Sequence, residues 1–126
     1  MIEKIKGCIF GLAIGDALGA PIEFMQKPLI IKRYGKEGIK TLCSTGYFPA
    51  GTYTDDTQMS LATAKGCINY FNGEKDIIRS IHKEYMEWYQ TQTKDWERRA
   101  PGLTCMEALS QSQSLNLEKD GSQKRR

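Results

Sequence analysis

The sequence predicts an all-α chain, and three observations carry that expectation. Apolar residues recur at the i, i+3, i+4 spacing of a helix face in separate segments. No segment is a convincing strand, and no internal repeat is present. Glycine and proline fall mainly in the stretches between these segments, where turns and loops are expected.

The first segment, residues 3–19, reads as a helix with Ile5, Cys8, Ile9, Leu12 and Ala13 on one apolar face. Gly7, Gly11, Gly15 and Gly19 recur every fourth residue and form a bare stripe. Each glycine costs a helix about 1 kcal/mol relative to alanine, so the stripe predicts close approach by another helix. Asp16 sits beside it, and Pro21 stops the helix. Residues 23–51 are punctuated by glycines and prolines and read as a long loop with a short helix near residues 28–34. Loops of this length inside a compact domain are often functional.

A second helix is expected over Asp55–Phe71, with Leu61, Ala64, Ile68 and Phe71 as its apolar stripe and Asn72-Gly73 as its stop. A third is expected over residues 76–90, with Ile77, Ile81, Tyr85 and Trp88 on one side. Pro101-Gly102 marks a turn, and Thr104 with Glu107 matches the capping box of a fourth helix. From Ser110 onward the chain holds four serines, three glutamines and no aromatic residue. Too little apolar area is available there to offset ordering entropy, so residues 110–126 are expected to be a disordered tail behind a domain at 1–109.

Composition narrows the function classes. The hydrophobic fraction of 40% and charged fraction of 26% suit a soluble chain. Of the net charge of +3, residues 110–126 carry +2, from four basic and two acidic side chains. That leaves no basic footprint for nucleic acid and no basic helix for a membrane surface. No transmembrane helix is expected, because a span needs about 20 mostly apolar residues. Lys4 and Lys6 before the apolar run at 8–14 faintly resemble a leader, but Asp16 interrupts it. Cys8, Cys43, Cys67 and Cys105 form no C-x-x-C pair, and His82 is the single histidine, which argues against a zinc site. Three of the cysteines lie in helical segments, where free cysteine acts as a small hydrophobe. A cytoplasmic setting is therefore expected.

The segment Gly51-Thr52-Tyr53-Thr54-Asp55-Asp56-Thr57 places two adjacent carboxylates and flanking hydroxyls at a helix start. Oxygen-rich clusters suit Mg2+ and Mn2+. The same residues also suit a helix N-terminus, with Thr54 as N-cap and Asp55 and Asp56 complementing the dipole. Two carboxylates hold a metal poorly by themselves, and Glu23 is the natural further candidate.

Taken together, Gly11 to Phe24 (GLAIGDALGAPIEF), then Gly51 to Met59 (GTYTDDTQM), then Arg99-Ala100-Pro101-Gly102-Leu103-Thr104, resemble the ADP-ribosylglycohydrolase family over roughly residues 3–109. The resemblance implies an all-helical bundle around two Mg2+ or Mn2+ ions. It implies that Thr54, Asp55 and Asp56 are metal ligands and that Glu23 lies at the metal and catalytic centre. Asp16 is expected to be structural, holding the active-site loop by hydrogen bonds. The substrate implied is ADP-ribose or an ADP-ribosylated protein, cleaved through an oxocarbenium-like transition state. Metal ions would fix the ribose hydroxyls, and Glu23 would take the proton of the attacking water.

Family members are longer, carrying a Gly-Cys-Gly segment with a nearby Met-Arg and a later aspartate-rich cluster, none of which occurs here. Two divalent ions bring four positive charges against three negative ones from Glu23, Asp55 and Asp56, and an octahedral ion wants about six oxygens. The chain is therefore expected to be a truncated form that binds metal weakly and shows little or no catalysis unless a partner supplies the missing half. Two other readings stand beside it: a non-catalytic remnant that binds ADP-ribose or a family subunit, and a helical interaction module in which Thr54 to Thr57 only cap.

Overall fold

A computed structural model describes residues 1–114, and among these the chain is helical without strands, as the periodicity predicts. The helices are α1 (Ile2–Gly19), α2 (Lys27–Tyr34), α3 (Asp55–Phe71), α4 (Ile77–Thr91) and α5 (Leu103–Ser114). A 3-10 turn at Ala20–Ile22 follows α1 directly. Pro21 lacks an amide hydrogen and ends the α-helical ladder where expected. Two compact units divide the chain, Met1–Ser60 and Leu61–Arg126.

In the first unit α1 is the long element. Ala17 is its one buried residue, whereas Ile5, Ile9 and Leu12 of the expected core face are 52%, 36% and 40% exposed. The glycine stripe is equally bare: a Cβ at Gly7, Gly11, Gly15 or Gly19 would meet nothing within 4 Å. The helix expected to approach the stripe is thus not found among the described residues. The expectation that no segment could span a membrane also needs correction. Residues Ile2–Ile22 are long and apolar enough to do so by length and composition, a test that leaders and soluble core helices also pass. The loop after α2 is tied by its own side chains. Ser44 donates to the Phe48 carbonyl at 2.8 Å, and the Phe48 amide donates to Thr45 Oγ1 at 3.0 Å.

The second unit is organised by Gly66. The Ser80 hydroxyl of α4 donates to the Gly66 carbonyl at 2.8 Å, and a Cβ on Gly66 would lie 2.6 Å from the Ile81 Cα. The expected stripe of α3 is not the contact face: Leu61, Ile68 and Phe71 are 43%, 58% and 82% exposed. The bare glycine lets the α4 backbone come close on a different face. On α4 the buried positions are Ser80, Glu84 and Trp88, while Ile77, expected on the buried side, is exposed. Polar residues are tolerated there because each is partnered. Glu84 meets Lys65 at 2.6 Å and accepts from Asn69 at 2.7 Å. Asp76 caps α4 by accepting from the amides of Ile78 and Arg79 at 2.9 and 3.2 Å.

Helix α5 contributes buried Leu109, and its Ser112 hydroxyl lies 2.9 Å from His82 Nε2. It begins at Leu103, so Thr104 falls inside the first turn instead of capping it. It runs to Ser114, which makes residues 110–114 helical; the remainder of the expected tail lies outside the described residues. All four cysteines are free thiols.

Gly66→Ala tests the close crossing. Alanine would gain about 1 kcal/mol of helix propensity, but overpacking against a backbone atom costs about 1–3 kcal/mol. The expected result is a melting temperature several degrees lower by far-UV circular dichroism; an unchanged or raised value would show that α4 does not lie this close.

Candidate functional site

Helix α3 starts from a turn that the sequence sets up at Gly51, whose φ of +83° lies where side-chain-bearing residues are strained. Thr54, Asp55 and Asp56 follow. A helix N-terminus leaves its first amides unsatisfied, and a local capping box would supply acceptors from the N-cap and third residues. Here Asp16, projecting from the last turn of α1, supplies an acceptor from 38 residues away. Its carboxylate accepts the Thr54 amide at 2.8 Å and the Thr57 amide at 3.2 Å. It also accepts the Thr54 hydroxyl at 2.6 Å and the Thr57 hydroxyl at 2.5 Å. The structural role expected for Asp16 is therefore borne out. Thr57 stands in the expected motif as a flanking hydroxyl, but its bonds to Asp16 were not expected; the available signal was a second threonine at the third helical position.

Burial by itself would raise the proton affinity of Asp16. The hydrogen bonds from the side chains and amides of Thr54 and Thr57 outweigh it and hold the carboxyl below its ordinary value of 3.8. Thr54 and Thr57 are themselves 8% and 2% exposed. Each hydroxyl has given its proton to Asp16, so toward any further neighbour it presents only lone pairs.

Glu23 follows the 3-10 turn that extends α1. Its carboxyl is pushed above the ordinary 4.5, first by partial desolvation and then by the negative charges of Asp55, Asp56 and Asp16. The residue as a whole is open to solvent. Glu23, Thr54 and Asp56 line one cavity of about 270 Å3 with Asp16, Gly15, Gly19 and Ala20. Two of the stripe glycines thus form part of the wall of this cavity. Asp55 is half-buried and does not line the cavity, although its field reaches Glu23. Among the described residues, no three carboxylate, thiol or imidazole side chains stand close enough together to hold a metal ion. The side chains that meet there offer oxygens, from Thr54 and from the three carboxylates of Asp16, Glu23 and Asp56. They suit a hard cation in kind and fall short of a full shell in number.

Asp16→Asn would lose the charge and place a donor where the two threonines also donate. The expected cost is about 2 kcal/mol, read as a lower melting temperature. The sign of the pH effect follows from the depressed carboxyl. Its contribution is present above pH 3.8 and is lost as pH falls through the lower folded value. The parent should lose stability below pH 3.8 more steeply than the Asn variant; parallel pH profiles would show that Asp16 does not anchor α3.

The chain matches the family model described as ADP-ribosylglycohydrolase over residues 1–125, which runs beyond the expected domain end at 109. It is 35% identical over 107 residues to the ADP-ribosyl-[dinitrogen reductase] glycohydrolase of Rhodospirillum rubrum, covering 85% of this chain and 34% of that protein. It is 31% identical over 91 residues to the ADP-ribosylarginine hydrolase Tri1 of Serratia proteamaculans, covering 71% of this chain and 22% of that protein. The chain thus spans about a third or less of the length of these relatives. No solved structure matches it significantly.

Proposed function

The chain belongs to the ADP-ribosylglycohydrolase family, and from that premise we propose that it carries one part of a metal-dependent site for hydrolysing the bond between ADP-ribose and a modified target. The observation that carries the proposal is the cavity in which Glu23 of the extended α1 meets Thr54 and Asp56 of the α3 start.

Each residue has a role that follows from its surroundings. Asp16 fixes the α3 N-terminus, so Thr54, Asp55 and Asp56 are held on a rigid turn instead of a loop. The Thr54 hydroxyl, with its proton committed to Asp16, is restricted to accepting, which is the state a cation ligand requires. Asp56 and Glu23 bring carboxylate oxygens, and Asp55 adds negative charge beside them. Mg2+ or Mn2+, when bound, supplies the Lewis acidity that orients ribose hydroxyls and makes a water more acidic. Glu23 takes the proton of the attacking water on a carboxylate oxygen, and the neighbouring acids raise its proton affinity toward that task. The substrate class is an ADP-ribosyl group on a protein acceptor such as arginine, the acceptor named for the Serratia relative.

Three carboxylates do not balance two divalent ions, so tight binding and turnover require further acidic ligands. The free thiols fit a reducing, cytoplasmic compartment. A second reading, in which Thr54 to Asp56 serve only as a helix start, draws on the absence of a three-carboxylate cluster among the described residues.

Thermal unfolding with and without Mn2+ and ADP-ribose separates the two. A ligand that binds only the folded state at 100 times its dissociation constant adds about 2.7 kcal/mol, several degrees for a domain of this size. The parent should shift upward in millimolar Mn2+, and Asp55→Asn/Asp56→Asn should not, while keeping its unliganded melt because Asn also suits helix starts. Hydrolysis of ADP-ribosylarginine by the chain alone should be undetectable. Equal shifts in parent and variant, or none in either, would leave only the capping role.

A further inference from the structure

Asp16 and Thr54 line the cavity, whereas Thr57 is buried and does not. Thr57 is therefore not a ligand for anything held there, yet it gives Asp16 both of its donors. Its amide and its hydroxyl reach the same carboxylate oxygen, Oδ2, at 3.2 and 2.5 Å. The Thr54 amide also donates to Oδ2, at 2.8 Å. The other oxygen, Oδ1, accepts the Thr54 hydroxyl at 2.6 Å. The two oxygens of Asp16 thus have different duties. Oδ2 is the pinned end, with three donors on it, and the Thr57 hydroxyl is the closest of them. Oδ1 sets where the Thr54 hydroxyl sends its proton. An aspartate does not fix this division by itself, because its last torsion is broad. The plane of the carboxylate, and with it the place of Oδ1, is set by the donors that hold Oδ2.

We infer that Thr57 is a positioning residue for the cation site: by pinning Oδ2 of Asp16 it fixes Oδ1 against the Thr54 hydroxyl and keeps the Thr54 oxygen free to accept a divalent cation. That role rests on the reading of this cavity as part of a metal site. Groups behind a metal ligand orient it and raise its basicity. Here Asp16 stands behind Thr54, and Thr57 stands behind Asp16. Without the Thr57 hydroxyl, Asp16 keeps two longer amide bonds on Oδ2, and its plane can rock. The Thr54 hydroxyl then rocks with it and offers its lone pairs to the cavity for only part of the time. The competing account is that Thr57 only stiffens the start of α3. In that case its loss would disturb Asp56 as well, and the effect would persist when the Thr54 hydroxyl is absent.

The test measures Mn2+ binding to the 126-residue chain from the electron paramagnetic resonance signal of free Mn2+. A far-UV circular dichroism melt of each variant confirms that it is folded at the titration temperature. Thr57→Val should weaken Mn2+ binding roughly three- to tenfold, below the 10–100-fold typical of a group that touches the ligand itself. Thr57→Ser, which keeps the hydroxyl, should recover most of that loss. Thr54→Val should lose at least as much as Thr57→Val. Thr54→Val/Thr57→Val should bind no more weakly than Thr54→Val alone, because Thr57 acts through Thr54. If valine disrupts the fold, Thr57→Ala, a better helix former, carries the same comparison. Unchanged Mn2+ affinity in a folded Thr57→Val or Thr57→Ala overturns the inference and leaves the metal reading standing. Additive losses in the double variant also overturn it, and assign Thr57 to general stiffening of α3. A parent that binds no Mn2+ overturns the metal reading and this role with it.

Discussion

One carboxylate fixes the geometry on which the candidate site depends. Asp16 takes two amides and two hydroxyls from Thr54 and Thr57, doing across 38 residues what a capping box does within four. Two consequences follow from the same contact. The Thr54 and Thr57 amides at the start of α3 are satisfied by a side chain from α1 and not by one of the helix's own. The end of α1 is also pinned beside the start of α3, so Glu23, one short turn further on, comes to the same cavity as Asp56. The negative charge then gathered around Glu23 opposes its ionisation.

The helices and their order were legible because periodicity and punctuation are local signals. Proline 21 ending α1, Asn72-Gly73 ending α3 and an isolated helix near residues 28–34 needed no tertiary knowledge. The faces were less legible. The apolar stripes expected on α1 and α3 are not the faces that pack, and both are largely open. The face of α3 that does pack is marked by Gly66, an absence of side chain that a hydrophobic pattern does not register. On α4 the buried line carries Ser80 and Glu84 because partners on α3 satisfy them, and no pattern along α4 alone could reveal that. The start of α5 shifted by the same logic: a capping box at Thr104 is a good local motif, but the helix begins before it.

The site divides along the same line. Thr54, Asp55, Asp56 and Glu23 could be named from residue chemistry and family resemblance, and Asp16 could be given a structural role. That Asp56 lines the cavity while Asp55 acts on Glu23 through its charge without lining it was not legible. Adjacent residues on a helix differ by about 100° in direction, and only the anchoring of the first turn decides which one faces inward. The part Thr57 plays was not legible, because a threonine inside a helix is ordinary until the acceptor for its hydroxyl is known.

The exposed α1 and the anchored α3 start are one problem. Asp16 is the contact through which anything that steadies α1 reaches the site. A loosely held α1 would let the Asp16 carboxylate separate from the Thr54 and Thr57 amides for part of the time, and the cavity would lose its shape in proportion. Any ligand that needs the assembled cavity then binds with an apparent affinity reduced by the fraction assembled. Steadying α1 would raise that fraction without touching the ligand.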